Sequence, residues 1–158
     1  MNLLQKKIES KIGPLYLVSS EIGLRGVFWN KQSIKIKTIN SIASQNLLVA
    51  EKQIKEYLKG LRKSFDLNLD IQGTNFQKIV WAQLMKIPYG DTRSYKDIAS
   101  SLGKPQASRA VGTANGKNPL CLIIPCHRVI ASNGSLGGYS GGLDKKRQLL
   151  QIEQQFIL

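Results

Sequence analysis

Cys126 and His127 stand side by side in the stretch IIPCHRVIASNGSLGGYSGG, residues 123–142. The 158-residue chain holds two cysteines and one histidine, so this dipeptide gathers most of its thiol and imidazole chemistry. A cysteine attacks as its thiolate, and a neighbouring base or positive charge lowers the thiol pKa. His127 and Arg128 offer one of each. Pro125 lacks an N–H and restricts its neighbours, which favours a fixed turn able to present the sulfur. Gly134, Gly137, Gly138, Gly141 and Gly142 let backbone approach a ligand closely. Adjacent side chains on a strand point opposite ways, so the thiol and the imidazole need not touch, and a water could bridge them. The plain alternative is a buried structural cysteine beside a hydrogen-bonded histidine. A papain-like hydrolase fits poorly, because its base lies far along the chain and His127 is the only histidine.

Such a site needs elements to hold it. Residues 1–40 read as strands: GPLYLVSS and GLRGVFWN are rich in β-branched and aromatic residues and bounded by Gly13-Pro14, Gly23 and Asn30. In KQSIKIKTIN, Ile34 and Ile36 alternate with lysines, the period of a half-exposed strand. Residues 44–59 place Leu47, Leu48, Ile54 and Leu58 at near-helical spacing before Gly60. LRKSFDLNLDIQGT then reads as an extended linker. Residues 74–87 predict a helix capped by Thr74 or Asn75, with Phe76, Ile79, Val80, Leu84 and Ile87 on one face. Pro88-Tyr89-Gly90-Asp91 ends it as a turn. A short helix around Ile98, Ala99 and Leu102 follows a Ser94 cap. Gly103-Lys104-Pro105 turns the chain into a second helix over 106–114, the outline of a helix-turn-helix. That second helix is built from Ala107, Ser108, Ala110, Gly112 and Ala114, with Arg109 as its only charge. So little bulk suits close approach to a flat or grooved partner, or a tight crossing with another helix.

The bulk numbers narrow the partners. Lysine and arginine exceed aspartate and glutamate by 23 to 10, a net charge of +13, which suits a polyanion such as nucleic acid. The excess is +6 up to Asp70 and +7 beyond it, so no basic tail stands apart and a binding surface must be made by folding. A hydrophobic fraction of 42% supports a buried core. No run approaches the roughly 20 apolar residues of a membrane span, and MNLLQKKIES does not support a secretory signal, so a cytoplasmic protein is expected. Two cysteines make no disulfide framework, and with one histidine they are a poor zinc set. Free thiols, no metal and no cofactor are expected.

IPCHRVI followed by GGYSGGL closely resembles the O6-alkylguanine-DNA alkyltransferases (methylated-DNA–protein-cysteine methyltransferases). GTNFQKIVWAQLMKIPYGDTRSYKDIA and SRAVGTANGKNP resemble the same family, and the likeness runs from about Glu56 to Glu153. The resemblance implies an α+β fold: a small N-terminal domain with an antiparallel sheet and helix, here 1–70, then a mainly helical domain, here 71–158. The second carries the helix-turn-helix and the cysteine. It implies single-turnover transfer of an alkyl group from O6 of guanine, with O4 of thymine a further substrate, onto Cys126. The partner would be double-stranded DNA containing O6-alkylguanine, bound by a monomer. His127 would take the thiol proton through a water, and Glu153 would orient His127. Tyr95 would bond guanine N3, the Ser140 N–H would bond O6, and the carbonyls of Cys126 and Val129 would read the exocyclic amine. Tyr139 would line the pocket and Asn118 would brace the turn. Ser108, Ala110 and Gly112 would lie in the minor groove, with Arg109 filling the stack left by a flipped nucleotide and Arg128 also on the DNA side. Cys121 takes a pocket-wall position that is proline in the family's human enzyme. The zinc-binding cysteines and histidines of the human N-terminal domain have no counterparts, since the first 120 residues contain neither type. A relative that binds alkylated DNA without transfer would carry tryptophan in place of Cys126, and an unrelated cysteine hydrolase would turn over repeatedly.

Overall fold

The computed structural model describes residues 2–35 and 41–156. The chain forms two compact units, Met1–Gln72 and Gly73–Leu158, in an α+β architecture.

In the first unit β1 (Leu4–Ile8), β2 (Leu15–Ser19) and β3 (Leu24–Phe28) form an antiparallel sheet in that order. Leu15 and Leu17 point inward at the strand period and meet Leu24 and Val27 in the core. Helix α1 (Ser41–Leu58) covers the sheet with Ala43, Leu47, Ala50, Ile54 and Tyr57, a stripe whose steps of four and three match the helical period. The strand expected over 31–40 differs: residues 31–35 are irregular, and 36–40 lie outside the described residues. The side-chain amide of Gln5 accepts from the Gln32 N–H at 2.8 Å and donates to its carbonyl at 3.0 Å. A side chain thus supplies the bonds that a neighbouring strand would have made. The expected linker over 61–74 is extended, but residues 61–72 are part of this unit and tie back to its sheet. Asn68 and Asp70 bracket Leu24 with backbone bonds of 2.8 Å, and buried Asp70 accepts from Ser20, Arg25 and Gln72.

The second unit begins with α2 (Asn75–Leu84), whose Thr74 and Gln77 form a reciprocal capping box. Its buried face is Val80, Trp81 and Leu84, and Ile79, expected on that face, is 53% exposed. Trp81 takes the inward position because its Nε1–H also finds a partner, the Ala114 carbonyl at 2.8 Å. Two-residue strand β4 (Arg93–Ser94) leads into α3 (Tyr95–Ser101), capped by Ser94 and Asp97. At its end Lys104 N–H bonds Ala99 O and Gly103 N–H bonds Ser100 O, with Gly103 at φ 71°. This is a Schellman closure, which needs the left-handed conformation that glycine adopts without a Cβ penalty. Helix α4 (Ser108–Gly116) follows, then a loop, a single helical turn at Cys126–Arg128, and β5 (Val129–Ile130), parallel to β4. The unit closes with α5 (Leu143–Gln155), which burial of Lys146, Leu149, Ile152 and Glu153 holds in place. No helix among the described residues is long and apolar enough to cross a membrane.

Candidate active site and nucleic-acid interface

Pro125 sits at φ −78°, ψ 64°, and the Cys126 N–H reaches back to Ile124 O at 2.7 Å. That is an inverse γ-turn, with φ supplied by the proline ring. It delivers Cys126 to the start of the helical turn. The loop before it is braced by Asn118, which donates to Ile124 O at 2.8 Å and accepts from Leu120 N–H at 2.9 Å. Between these anchors Leu122 is held at φ 73°, a conformation a branched side chain rarely takes. The surrounding bonds therefore over-determine the loop that fixes the sulfur.

Cys126 is 2% exposed and opens on a cavity of about 240 Å³ lined by Tyr95, Gly112, Asn115, Tyr139 and Ser140. This is below the roughly 300 Å³ of drug-sized ligand sites, so it suits a single small ring system. A side chain at Gly137 would start 2.8 Å from the Tyr95 hydroxyl, so glycine there keeps the tyrosine in the cavity. Cys121 lies behind the wall, with its sulfur 3.7 Å from Ser140 Oγ.

Behind Cys126 is a buried ionic cluster. His127 Nε2 lies 2.6 Å from Glu153 Oε2. The same carboxylate accepts from Arg128 Nε at 2.8 Å and Nη2 at 2.9 Å, and from the Gly90 N–H at 3.0 Å. Arg128 also donates to Ile87 O at 2.8 Å and lies over the Tyr89 ring. Arg128 was expected on the DNA side. It is 7% exposed and spent on Glu153, so it is a structural partner of the carboxylate rather than a surface contact. Burial alone would raise Glu153, but its bonds to His127 and Arg128 hold it well below the usual carboxylate range. Burial lowers His127 against the opposing pull of Glu153, so the imidazole is neutral at neutral pH and able to accept a proton. The thiol differs from the expected lowered value: its bond to Cys121 and its burial push Cys126 up, while Asn118 and Lys146 oppose the shift. Arg128 cannot lower it, because Glu153 offsets that charge.

Lys146 is the feature that the sequence reading missed. It is fully buried, and its ammonium donates to Val129 O at 2.6 Å, to Gly138 O at 3.1 Å and to Leu136 O. All three N–H donors are used. The lysine thus ties β5 to the glycine-rich wall of the cavity. Burial lowers its pKa to about 8, with the Cys126 charge acting the other way, so it remains mostly cationic at neutral pH. Its sequence signal was its place seven residues before Glu153, two turns back on one helical face.

On the outer side, Tyr95, Lys96, Ser108, Arg109, Gly112 and Thr113 line an open groove that Ala131 and Ser132 complete. Arg109 and Ala110 are exposed on α4, and Ser108 and Gly112 are half-buried. Gly112 and Tyr95 border both groove and cavity, so the two adjoin. Among the described residues no group of three His, Cys, Asp or Glu side chains is placed to hold a metal ion.

The family model described as 6-O-methylguanine DNA methyltransferase, DNA binding domain, matches residues 75–155. The one described as 6-O-methylguanine DNA methyltransferase, ribonuclease-like domain, matches 3–71. The chain is 49% identical over 149 residues to the methylated-DNA–protein-cysteine methyltransferase of Methanosarcina barkeri, covering 93% of this chain and 94% of that one. It is 43% identical over 150 residues to the protein of that name from Mycobacterium bovis, covering 94% and 91%. A crystal structure of Mycobacterium tuberculosis OGT in complex with DNA superposes with a TM-score of 0.86 at 42% identity, over 96% of this chain and 93% of that one.

Proposed function

The chain belongs to the 6-O-methylguanine DNA methyltransferase family, and from that membership we propose that it repairs DNA by moving an alkyl group from O6 of guanine to its own Cys126. The carrying observation is the placement of Cys126 on a base-sized cavity backed by the buried His127–Glu153 pair. A nucleobase inside a duplex cannot reach a sulfur that is 2% exposed, so the damaged nucleotide rotates out of the stack into the cavity. The thiol proton passes to neutral His127, whose Nε2 is held by Glu153, so the relay runs through Nδ1. Sulfur attacks the alkyl carbon, and the carbon–O6 bond breaks. The departing guanine gains a proton with help from Tyr95 bonded at N3. An S–H and an O-alkyl group thus become an S-alkyl group and a guanine N–H. The thioether is not hydrolysed, so each molecule acts once, as a monomer on double-stranded DNA.

The raised Cys126 pKa fits this order of events. The resting protein holds a neutral thiol, which protects an irreversible acceptor from other electrophiles, and ionisation is coupled to substrate in place. Intact-mass measurement after mixing with an oligonucleotide containing O6-methylguanine is expected to show one added methylene, mapped to the peptide holding Cys126. Cys126→Ala should take up none yet still bind DNA, because affinity resides in phosphate and groove contacts. Binding without transfer by the unaltered protein would favour a damage-binding module instead. Repeated release of product would favour a hydrolase.

Arg109 gives a second check. It lies on the exposed face of α4 in the groove beside the cavity. If it fills the vacated stack, Arg109→Ala should slow repair of duplex DNA by roughly tenfold or more, since flipping costs a few kcal/mol. Reaction with the free O6-alkylguanine base, which needs no flipping, should change little. Equal slowing on both substrates would remove this role.

A further inference from the structure

The chain has only two cysteines, and both lie buried and free at one place. Cys121 and Cys126 are five residues apart, yet the backbone doubles back between them. The Ile124 N–H bonds to Leu120 O at 2.9 Å, Leu122 sits at φ 73°, and the Pro125 γ-turn follows. This path brings the two thiols into hydrogen-bond contact. Cys121 Sγ also lies 3.7 Å from Ser140 Oγ, and Ser140 lines the Cys126 cavity. Alkyl transfer as proposed uses only Cys126. A cavity of about 240 Å³ readily admits a molecule as small as hydrogen peroxide, since a water takes about 30 Å³ of liquid.

We infer that Cys121 is the resolving thiol of Cys126: hydrogen peroxide oxidises the pair to a disulfide that a dithiol reduces again, so the acceptor is capped reversibly instead of being destroyed. The Cys126 sulfur attacks one peroxide oxygen, the O–O bond breaks, and the thiol proton leaves with the other oxygen as water. Cys126 is then a sulfenic acid. The Cys121 sulfur attacks the sulfenic sulfur, the S–O bond breaks, and the Cys121 proton leaves with that oxygen as a second water. The two thiols have lost two hydrogens, and the peroxide has been reduced to two waters. Thiol–disulfide exchange with a dithiol restores both thiols. Without a partner thiol the sulfenic acid goes on to sulfinic acid, which is irreversible. An acceptor oxidised that far can never take an alkyl group. Neutral Cys126 makes the first step slow, and contact with Cys121 makes the second one fast. In the disulfide the sulfurs close to about 2 Å and no thiol remains to attack an alkyl carbon. The loss and return of transfer rest on the proposed function; formation of the disulfide does not.

The test treats the full chain with hydrogen peroxide, blocks the remaining thiols with iodoacetamide in denaturant and digests with trypsin. Both cysteines fall in one tryptic peptide, NPLCLIIPCHR, residues 118–128, which holds no methionine, so its mass reports the thiols alone. After peroxide this peptide should be two hydrogens lighter than its reduced form and take up no iodoacetamide. The treated protein should lose transfer from an O6-methylguanine oligonucleotide in step with the disulfide formed, and regain it after dithiothreitol. Cys121→Ala, compared with its own untreated sample, should instead gain two or three oxygens on Cys126 and stay inactive after the dithiol. Two alkylated thiols, or added oxygens without the bond, in the treated unaltered protein overturn the inference, whether or not the alanine variant folds. So does a Cys121→Ala protein that dithiothreitol restores as fully as the unaltered one. Absence of transfer before any treatment would remove the proposed function, while the peptide mass still decides whether the bond forms.

Discussion

Glu153→Gln is expected to lower the melting temperature of the Gly73–Leu158 unit by more than about 10 °C and to abolish methyl transfer. The carboxylate is fully buried and accepts from His127, Arg128 and Gly90. Glutamine keeps the shape but loses the charge, and its NH₂ meets a guanidinium that can only donate. Breaking a buried ion pair from one side costs about 3–5 kcal/mol, because the remaining charge is left uncompensated. For a unit of 60–100 residues each kcal/mol moves the midpoint by about 4–8 °C. Trp81, buried in this unit, offers a fluorescence signal for the transition. A drop under about 3 °C would show that Arg128 finds another partner.

Stability and chemistry can then be separated. Replacing Arg128 and Glu153 together by methionine removes both charges, and such exchanges of buried pairs are often neutral. The double variant should regain most of the lost stability yet stay inactive, because His127 no longer has its orienting partner. Recovery of transfer in the double variant would mean that Glu153 acts only through folding. The pH dependence has a definite sign. Glu153 is depressed in the folded state, so its stabilisation is present above its unfolded value near 4.3 and is lost as pH falls toward the folded one. His127 is also lowered, so the unfolded chain binds its proton first and stability starts to fall below about 6.5. Acid titration of the unaltered protein should therefore show loss beginning near 6.5 and steepening below about 4.3. The Glu153→Gln variant should lose part of the lower, steeper fall, the remainder belonging to Glu51, Asp70 and Asp97, which their bonds also hold low.

Much of this arrangement was legible because local chemistry and tertiary role coincided. Thr74 with Gln77 and Ser94 with Asp97 announce helix starts by side chains that bond only their own turn. Gly103 announces a Schellman turn for the same reason. Cys126 and His127 were conspicuous by rarity. What escaped a reading of the residues themselves is non-local, and Glu153 came only through the family resemblance. Helix α5 buries Lys146 and Glu153 on the same face as Leu149 and Ile152, so its apolar period is interrupted where its function lies. A buried lysine looks like any surface lysine until its carbonyl partners, 8 to 17 residues back, are known. Arg128 misled in the opposite sense: next to a reactive cysteine in a basic chain it reads as a DNA contact, and only the fold brings Glu153 to it. Over residues 31–35 the lysine alternation misled, because period alone does not say whether a strand pairs there, and Gln5 bonds Gln32 instead.

Lys146→Met is expected to reduce the transfer rate by roughly a hundredfold or more while leaving DNA binding within a few-fold of the unaltered protein. Methionine preserves most of the buried stem but none of the donors. Three carbonyls, those of Val129, Leu136 and Gly138, would be left without the ammonium. The segment they hold contains Gly134, Gly137 and Gly142, all at positive φ. It also carries Tyr139 and Ser140, which form the wall opposite α4. Released from the lysine, that wall would shift, and a misplacement of about 1 Å can cost roughly a hundredfold in rate. DNA affinity should persist because the groove residues of α4 do not hang on this bond network. Arginine should not rescue, since its planar fork directs donors differently from an ammonium and is larger. The pH profile separates positioning from simple damage to the fold. Raised Cys126 makes the rate of reaction with free base climb as pH rises, and loss of the Lys146 proton around pH 8 removes one of the three donors and curbs that climb. The unaltered protein should therefore level off or decline above about pH 8. The methionine variant, slow throughout, should show no such break. A normal rate in Lys146→Met would sink the clamp outright, and a break near pH 8 that survives the substitution would place the titrating group elsewhere.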